Sequence, residues 1–371
     1  MTLLLLLIGI FSLRRCILAA AALLARPRGS MMVEEWSAVG IVMVSRDEEA
    51  ALDGCLRALG ALDYPLDRRH HLLVSDGSRD GTAAKMADFA AHAGNAQVLI
   101  IEDSVGKAEA LNRALAALPD AELVAVYDTD LRPCPDSLRR LVAAMDPSTG
   151  AAGGRREPAN RDASLVARYT SLESDVHQLV TLAGKNRLGW NPPTTGGNCV
   201  YRRKAVLDVG GFTRGTLSED IEVSLALAAT GWRTIFVEDA VAASMVPDSL
   251  RQFSRQRLRW NAGLFSSAKR ASGWRYLLVA AGYLDRVLFL GAALSVAADW
   301  LHPAWLLLYL FPALLTIVVA HVRAGRLGAL PRSLLATAAL FPWDVGLSLL
   351  GAVTRLAGRK PLWQPTTYRS K

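Results

Sequence analysis

The sequence predicts an α/β protein with a doubly wound, Rossmann-like sheet and additional membrane helices. Two observations support this fold class. Between residues 39 and 127, short apolar runs alternate with helical stretches, which is the pattern of βα units around a parallel sheet. From residue 276 onward, three apolar stretches follow one another, at 276–298, 303–322 and 333–353. Each is close to the roughly 20 residues that a transmembrane helix needs.

The composition favours a membrane protein. Of 371 residues, 51% are hydrophobic, and the formal net charge is +8. A positive net charge could favour binding to nucleic acid, to an anionic membrane or to an anionic substrate. Its arginines cluster beside apolar spans, and basic patches interleaved with aromatics are not seen, so nucleic acid is excluded. The four cysteines are widely spaced without a C-x-x-C motif, which argues against a disulfide framework or a zinc site.

The chain is predicted to divide into four segments. Residues 1–25 are predicted to form an N-terminal membrane anchor or interfacial helix, and residues 36–250 a globular domain. A basic interface segment follows at 251–275, and membrane helices with a basic tail at 276–371. Arg14 and Arg15 interrupt the apolar N-terminal segment. A signal peptide carries its positive charges before the apolar region, so it does not fit this pattern.

The globular domain is predicted to place polar groups at one edge of its sheet. We expect strands at 39–44, 71–75, 97–102 and 123–127, and helices at 48–62, at 83–93 and from about 106 to 118. Polar residues follow the strand ends at Ser45–Glu48, Asp76, Gly106-Lys107 and Asp128–Asp130. Ligands of open α/β sheets bind outside the carboxyl ends of the strands. The pattern therefore predicts a ligand site there.

A D-x-D motif follows the fourth predicted strand, in 126-VYDTDLRP-133. Hard cations such as Mg²⁺ or Mn²⁺ prefer carboxylate oxygens and often keep a substrate diphosphate in their shell. The alternative is a turn with solvated aspartates. The position of Asp128 and Asp130 directly after a buried strand favours the ligand site.

Two further strand-end groups each allow a structural and a functional interpretation. Asp76 in 74-VSDGSRDGT-82 fits a simple turn, or a carboxylate that binds a nucleobase or ribose. Lys107 follows Gly106 at the start of a helix, where an anion would be favoured, although a solvated lysine is equally compatible.

Glycine and acidic residues come together again in the second half of the domain. Gly196 and Gly197 in 194-TTGGNCVYRR-203 permit close backbone approach to a ligand. Ser218 can cap the next helix, with Glu219 and Asp220 in its first turn. These acids could therefore serve the helix alone, or Asp220 could act as a general base.

The segment 252-QFSRQRLRWNAG-263 combines basic and aromatic residues shortly before an apolar stretch. Such residues also describe an interfacial anchor, but an anchor needs no glutamine at a fixed place. The order of Asp-Gly-Ser, Gly-Lys, Asp-Thr-Asp, Ser-Glu-Asp and Gln256-x-x-Arg259-Trp260 resembles the membrane-bound family 2 glycosyltransferases. These include cellulose, hyaluronan and chitin-oligosaccharide synthases and glycolipid glucosyltransferases. The resemblance covers roughly residues 38–265.

The resemblance implies a GT-A fold, a nucleotide sugar donor, usually UDP-linked, and a divalent metal, Mg²⁺ or Mn²⁺. It implies a nucleotide-sugar site at Ser45, Asp76, Lys107, Asp128 and Asp130. Within this site Asp130 is the main metal ligand and Asp128 lies nearer the ribose or diphosphate. Asp220 is implied as the catalytic base, and the acceptor and diphosphate side is assigned to Glu219, Gln256, Arg259 and Trp260. Ser75 and Ser218 stand where the family often has an acid and a threonine.

The implied activity is inverting transfer of a sugar to a lipid or glycan acceptor, forming a β-glycosidic bond. A processive polysaccharide synthase, a polyprenyl-phosphate sugar synthase and a non-enzymatic scaffold are the alternatives. A cytosolic donor places the globular domain at the cytoplasmic face, most simply of the plasma (inner) membrane. Positive-inside reasoning places both the loop 321–332 and the tail after Arg355 in the cytoplasm. One complete crossing cannot join them, so either 333–353 is re-entrant or interfacial, or one charge signal misleads.

Overall fold

The computed structural model describes residues 1–25, 35–216, 218–270 and 274–356. The chain forms two compact units, each described here by itself. The first contains Met1–Ala25, Asn160–Trp190 and the chain from Val246 onward. The second contains the described part of Arg26–Ala159 and Asn191–Met245. We call them the helical unit and the sheet unit. The domain boundaries proposed from the sequence stay a prediction.

The sheet unit is built on one mixed sheet. Its strands are β1 Val39–Ser45, β2 Arg69–Asp76, β3 Ala96–Ile101, β4 Leu123–Tyr127, β5 Leu131–Pro133, β6 Thr149–Pro158, β7 Cys199–Arg202 and β8 Arg233–Ser244. They lie in the order β3-β2-β1-β4-β7-β6-β8-β5. The first four strands run parallel, and β7 is antiparallel to both β4 and β6. The predicted α/β sheet is confirmed, and the four predicted strands match β1 to β4 within two residues.

The described residues contain thirteen α-helices, which belong to one or the other unit. They are α1 Thr2–Leu23, α2 Glu49–Gly60, α3 Thr82–Ala93, α4 Lys107–Ala116, α5 Ser137–Ala143, α6 Leu165–Asp175, α7 Ala183–Leu188, α8 Arg203–Asp208, α9 Glu219–Ala229, α10 Leu250–Arg270, α11 Trp274–Ala297, α12 Leu307–Arg323 and α13 Leu330–Leu356. A π-helical stretch, Val176–Leu182, joins α6 to α7. Gly94 ends α3 in a left-handed conformation.

Alternating side chains of β1 build two separate cores. Ile41 and Met43 belong to one buried cluster, in which α2 and α5 pack on the sheet. Val42 belongs to the other, in which α4 and α9 pack on the opposite face. Successive residues of a strand point to opposite faces, so a strand buried on both sides reads as a continuous apolar run. This arrangement leaves the carboxyl ends of the parallel strands to carry polar groups.

The helical unit contains the apolar segments predicted from the sequence. Among the described residues, three helices are long and apolar enough to cross a membrane: Thr2–Leu23, Pro303–Arg323 and Leu327–Gly351. Arg15, one of the arginines that interrupt the first of them, stacks 4.5 Å from the ring centre of Tyr309 on α12 and donates to its hydroxyl at 3.3 Å. An apolar helix therefore accommodates this cation by packing it against a neighbouring aromatic ring.

One glycine allows two helices of this unit to cross closely. A Cβ atom added at Gly184 of α7 would lie 2.5 Å from the carbonyl oxygen of Leu18 on α1. Real Cβ atoms do not approach a backbone oxygen so closely, because the contact is repulsive. The absence of a side chain at Gly184 therefore sets the distance between α1 and α7.

Candidate active site

The D-x-D motif forms a rigid turn between β4 and β5. The amide of Leu131 donates to the carbonyl of Asp128 at 3.0 Å. The guanidinium of Arg132 donates to the carbonyls of Thr129, at 2.9 Å, and Ala51, at 2.8 Å. The turn is therefore held to α2 as well as to its own strand, and the two aspartates stand at a fixed place beyond the sheet edge.

Lys107 connects this turn to the acidic helix start of α9. Its Nζ lies 2.6 Å from Asp128 Oδ1 and 3.0 Å from Glu219 Oε1. Burial disfavours the charged lysine, but the charges of Asp128 and Glu219 outweigh it and raise the pKa of Lys107 above its usual range. The ammonium group is thus held charged between two carboxylates that lie far apart in sequence.

Asp76 is buried and fully engaged by the loop before α4. Its carboxylate accepts from the hydroxyl of Ser104 at 2.8 Å and from the amides of Val105 and Gly106 at 2.8 and 3.0 Å. In this structure Asp76 therefore fixes the loop that presents Lys107. Its contact with a uridine, implied by the resemblance, stays a prediction.

Asp220 lies in the first turn of α9, beside the paired glycines. Its Oδ1 accepts from the amide of Ile221 at 2.9 Å. Burial, followed by the negative charge of Glu219, raises the pKa of Asp220 to about 7. A carboxyl group with this pKa can accept a proton near neutral pH, which an ordinary aspartate does poorly.

Gly196 and Gly197 bring Asp220 and Asp128 to the same short loop. A Cβ atom at Gly196 would lie 3.2 Å from Asp220 Oδ2, and one at Gly197 would lie 2.7 Å from Asp128 Oδ2. Gly196 also has a φ of +82°, which favours glycine. The close backbone approach predicted from this pair is therefore made to the carboxylates of the protein itself.

Buried hydrogen bonds fix this loop to its neighbours. The amide of Thr194 donates to the hydroxyl of Ser224 on α9 at 3.0 Å, and the hydroxyls of Thr194 and Ser224 share a second hydrogen bond at 3.0 Å. Asn198 is fully buried, accepts from Ser137 at 2.9 Å and donates to the carbonyl of Ala240 at 2.9 Å. The spacing between the two acidic groups is therefore set by a rigid surround.

The expected capping role of Ser218 is only half right. Ser218 occupies the N-cap position of α9, but its side chain makes no capping hydrogen bond. Of the two acids that follow, Glu219 turns to Lys107. The first turn of α9 therefore directs a carboxylate to the site as well as carrying negative charge near its N-terminus.

Two charged residues of this cluster were given no role by the sequence analysis. Arg156, at the end of β6, lies 3.8 Å from Asp128 Oδ2 and 3.6 Å from Asp130 Oδ2. Glu48 accepts from the hydroxyl of Ser45 at 3.1 Å, and burial raises its pKa. Its position at the end of β1 was noted, but no role was assigned. Nothing in the local pattern of 153-GGRREP-158 separated Arg156 from an ordinary surface arginine.

The D-x-D carboxylates fit a divalent cation that a substrate completes. Among the described residues, no group of three or more His, Cys, Asp or Glu side chains is arranged to hold a metal. Asp128 and Asp130 offer hard oxygen donors, and Mg²⁺ typically takes one or two carboxylates together with substrate phosphates. Asp128 is engaged by Lys107 at 2.6 Å, whereas the contact of Asp130 with Arg156 is longer, at 3.6 Å. Asp130 is therefore better placed as the main ligand.

The Gln-x-x-Arg-Trp residues belong to the helical unit, on α10. Gln256 is buried, Arg259 is half-buried, and Trp260 exposes 44% of its surface. Between them, Arg257 is buried, pairs with Glu173, and stacks 5.2 Å from the ring centre of Trp260. The indole of Trp260 is therefore supported on one side and open to a ligand on the other.

Comparison with known proteins agrees with these features. Residues 37–263 match the family described as glycosyltransferase like family 2. An N-acetylglucosaminyltransferase of Bradyrhizobium diazoefficiens is 31% identical over 66% of this chain and 52% of its own length. Cellulose synthase 2 of Novacetimonas hansenii is 28% identical over 62% of this chain and 14% of its own length. The chain thus spans about half, or much less, of these curated relatives.

The structure of a mannosyltransferase from Pyrobaculum calidifontis, PcManGT, in complex with GDP-Man and Mn²⁺, superposes with a TM-score of 0.60. It is 22% identical, and the match covers 95% of this chain and 99% of that chain. This likeness confirms the predicted GT-A fold. With a family match that covers more than half of its residues, the chain belongs to glycosyltransferase family 2.

Proposed function

We propose that the protein transfers a sugar from a nucleotide sugar, most simply a UDP-sugar, to a lipid or glycan acceptor at the cytoplasmic face of a membrane. The transfer inverts the anomeric carbon and forms a β-glycosidic bond. One observation carries the proposal. Asp220, whose pKa is raised, and Asp128 of the D-x-D motif lie against two adjacent glycines, Gly196 and Gly197, of one loop. The reaction needs a proton acceptor and, close to it, a carboxylate that can hold the diphosphate through a metal ion.

Asp220 serves as the general base in this proposal. An acceptor hydroxyl is a weak nucleophile at neutral pH, and Asp220 takes its proton as the oxygen attacks the anomeric carbon. Such a positioned base contributes about 10²- to 10⁴-fold to the rate. The attack comes from the face opposite the diphosphate, so the bond between the anomeric carbon and the diphosphate breaks as the new bond forms. An α-linked donor then gives a β-linked product.

The diphosphate gains negative charge as it leaves, and the cations of the site are placed to stabilise it. Lys107 and Arg156 both contact the D-x-D carboxylates, so their charges lie where a diphosphate would sit. Asp130, with Asp128, would hold Mg²⁺ or Mn²⁺, which supplies Lewis-acid stabilisation of the diphosphate when bound. Ser45 and Asp76 are assigned to the donor side, because they end β1, which is next to β4 in the sheet, and β2, which is next to β1.

Gln256, Arg259 and Trp260 are proposed to act on the acceptor side, with Glu219 at the diphosphate. An exposed indole offers a broad apolar face on which a sugar ring can stack. A guanidinium such as that of Arg259 suits a phosphate oxygen. Their place on α10, in the same unit as the apolar helices, suits an acceptor that is attached to, or leaves through, a membrane.

The direct test is product analysis with purified full-length protein in lipid nanodiscs. The protein is incubated with a panel of UDP-sugars and GDP-mannose, a membrane lipid extract, and Mg²⁺ or Mn²⁺. Mass spectrometry of the products then identifies donor and acceptor together. We expect one sugar class to be transferred, and Asp220→Asn protein made in the same way serves as the control.

The products also separate the alternatives. A single lipid adduct supports glycolipid synthesis, and a ladder of products supports a processive synthase, the second candidate, which the similarity to cellulose synthase favours. A sugar on polyprenyl phosphate would identify a polyprenyl-phosphate sugar synthase. If the protein neither transferred a sugar nor released a nucleotide with any donor, the proposed activity would be overturned in favour of a scaffold.

A further inference from the structure

Helix α13 lies side by side with α10 over much of its length. Trp343 Nε1 donates to the hydroxyl of Ser254 at 3.1 Å, and Asn261 Nδ2 donates to the carbonyl of Leu347 at 3.3 Å. Further along, a Cβ atom at Gly351 would lie 2.9 Å from Cβ of Asn261. Both helices advance in the same direction through these contacts, so they run side by side in a parallel sense. The middle of α13 and the first half of α10 are therefore at the same level.

The contact between these helices is centred on charge. Asp344, in the middle of α13, is 0% exposed. It accepts from Arg286 at 2.7 and 2.9 Å and from the hydroxyl of Tyr169 at 3.0 Å, and it lies 3.4 Å from Arg257 on α10. Glu173 on α6 pairs with both arginines. Two carboxylates and two guanidinium groups thus join α6, α10, α11 and α13, and the ion pairs fix the depth of α13 to that of α10.

The exposed residues of α10 indicate at what depth in a bilayer the two helices can lie. Arg251 and Arg255 are exposed on α10, and Arg255 directly follows Ser254, which bonds the middle of α13. If α13 crossed a bilayer, its middle would lie at the bilayer centre, and α10 would place these exposed arginines in the hydrocarbon. That position is strongly disfavoured for a guanidinium. The two parallel helices instead fit the membrane surface.

A neighbouring side of α13, which Trp343 borders on the side of α10, is suited to that surface. Leu335, Trp343, Leu350 and Val353 are exposed, and at 100° per residue they fall within an arc of about 80° on one side of the helix. Arg332 lies exposed near the start of this stripe. An apolar stripe flanked by arginines, on α13 and on α10, is complementary to the acyl boundary and anionic headgroups of a bilayer.

We propose that α13 lies in the plane of the membrane surface and does not cross the bilayer, with its stripe of Leu335, Trp343, Leu350 and Val353 inserted among anionic lipids. Its length and composition alone would allow a crossing. In this arrangement the loop between α12 and α13 and the C-terminal segment lie on the same side, which agrees with the positive charge of both. The inference rests on the membrane location in the proposed function, but on no catalytic role.

Topology can be tested with the full chain in cells. A short epitope is inserted after Gly325, whose surroundings are open, and a second is placed after Lys371. Antibody access is compared in right-side-out and inside-out membrane vesicles. We expect both epitopes to be reached from the same side. Epitopes on opposite sides would overturn the proposal, and a protein that stays in the soluble fraction would overturn the membrane location itself.

Depth measurements separate a surface helix from a re-entrant one. A nitroxide amino acid is introduced at Leu335, Gly346 or Val353 in protein reconstituted into vesicles of phosphatidylglycerol and phosphatidylethanolamine. The outer two positions are about 27 Å apart along a helix, close to the thickness of the hydrocarbon core. Collisions with oxygen and with a water-soluble nickel complex should place all three at one shallow depth. A deep Gly346 between shallow ends, or a steady gradient, would overturn the proposal. Buried Leu340 is the control.

Discussion

Lys107 lies 2.6 Å from Asp128 and holds the D-x-D turn to the first turn of α9 through a second contact with Glu219. Replacing it with methionine leaves two neighbouring carboxylates without their shared cation. We expect Lys107→Met to lower kcat/KM for the donor by about 10²-fold or more, because truncating one partner of a partly buried charge pair is costly. Lys204→Met removes an exposed lysine that pairs with Asp208 and should change the rate little. Equal effects of both variants would contradict a role for Lys107.

Asp220→Asn tests the proposed base. The amide cannot accept the proton, so transfer should fall by about 10²- to 10⁴-fold. The donor contacts are made by other groups, so UDP affinity, measured by calorimetry, should stay near that of the unsubstituted protein. Loss of UDP binding in Asp220→Asn would refute its role as a base.

The pH–rate profile should report the environment of Asp220. Burial and the charge of Glu219 raise its pKa to about 7, and a base acts in its deprotonated form. We therefore expect the rate to rise with pH through about 7. Glu219→Gln removes a negative charge beside Asp220. It also leaves the positive charge of Lys107 less neutralised, and both effects lower the pKa of Asp220. The acid limb should move to lower pH. Glu222→Gln, in the same helical turn, is the control. An unmoved limb in Glu219→Gln would show that another group titrates.

Trp260→Ala should weaken acceptor use and leave donor binding unchanged. The exposed indole is proposed to stack on a sugar ring, and aromatic contacts of this kind contribute roughly 0.5 to 1.5 kcal/mol. We expect the acceptor KM to rise about 3- to 10-fold with donor affinity unchanged. Trp300→Ala, at another exposed tryptophan of the helical unit, should leave both constants as they are. Equal loss of donor and acceptor binding would mean that Trp260 is structural.

Gly184 and Gly9 form a matched pair for stability. Alanine favours a helix over glycine by about 1 kcal/mol, but a Cβ atom at Gly184 would meet the backbone of Leu18 at 2.5 Å, whereas none lies within 4 Å at Gly9. Gly184→Ala should therefore lower the free energy of unfolding by about 1 to 3 kcal/mol, and Gly9→Ala should leave it unchanged or raise it. Thermal unfolding in detergent measures both. Equal melting temperatures would contradict the close crossing.

The first half of the sheet could be predicted because its strands are short, apolar and separated by helices with clear ends. β6 was missed because 149-TGAAGGRREP-158 is rich in glycine and alanine and has only one β-branched residue, Thr149, of the kind that marks a strand. Arg156 was missed with it, since its role depends on the end of that strand. The position of Asp76 was right, but its hydrogen bonds to residues 104–106 depend on a loop 28 to 30 residues away in sequence, which no local pattern shows.

The crowding of carboxylates around Lys107 and Arg156 bears on the order in which substrates arrive. Glu48, Asp128, Asp130, Glu219 and Asp220 outnumber Lys107 and Arg156, even with the nearby Arg132 of the D-x-D turn added. A nucleotide diphosphate that entered alone would meet repulsion, whereas one that entered with a dication would meet attraction. We therefore expect a compulsory sequence, in which cation and donor load together before the acceptor hydroxyl reaches Asp220. Initial-rate kinetics would then show the donor as the leading substrate.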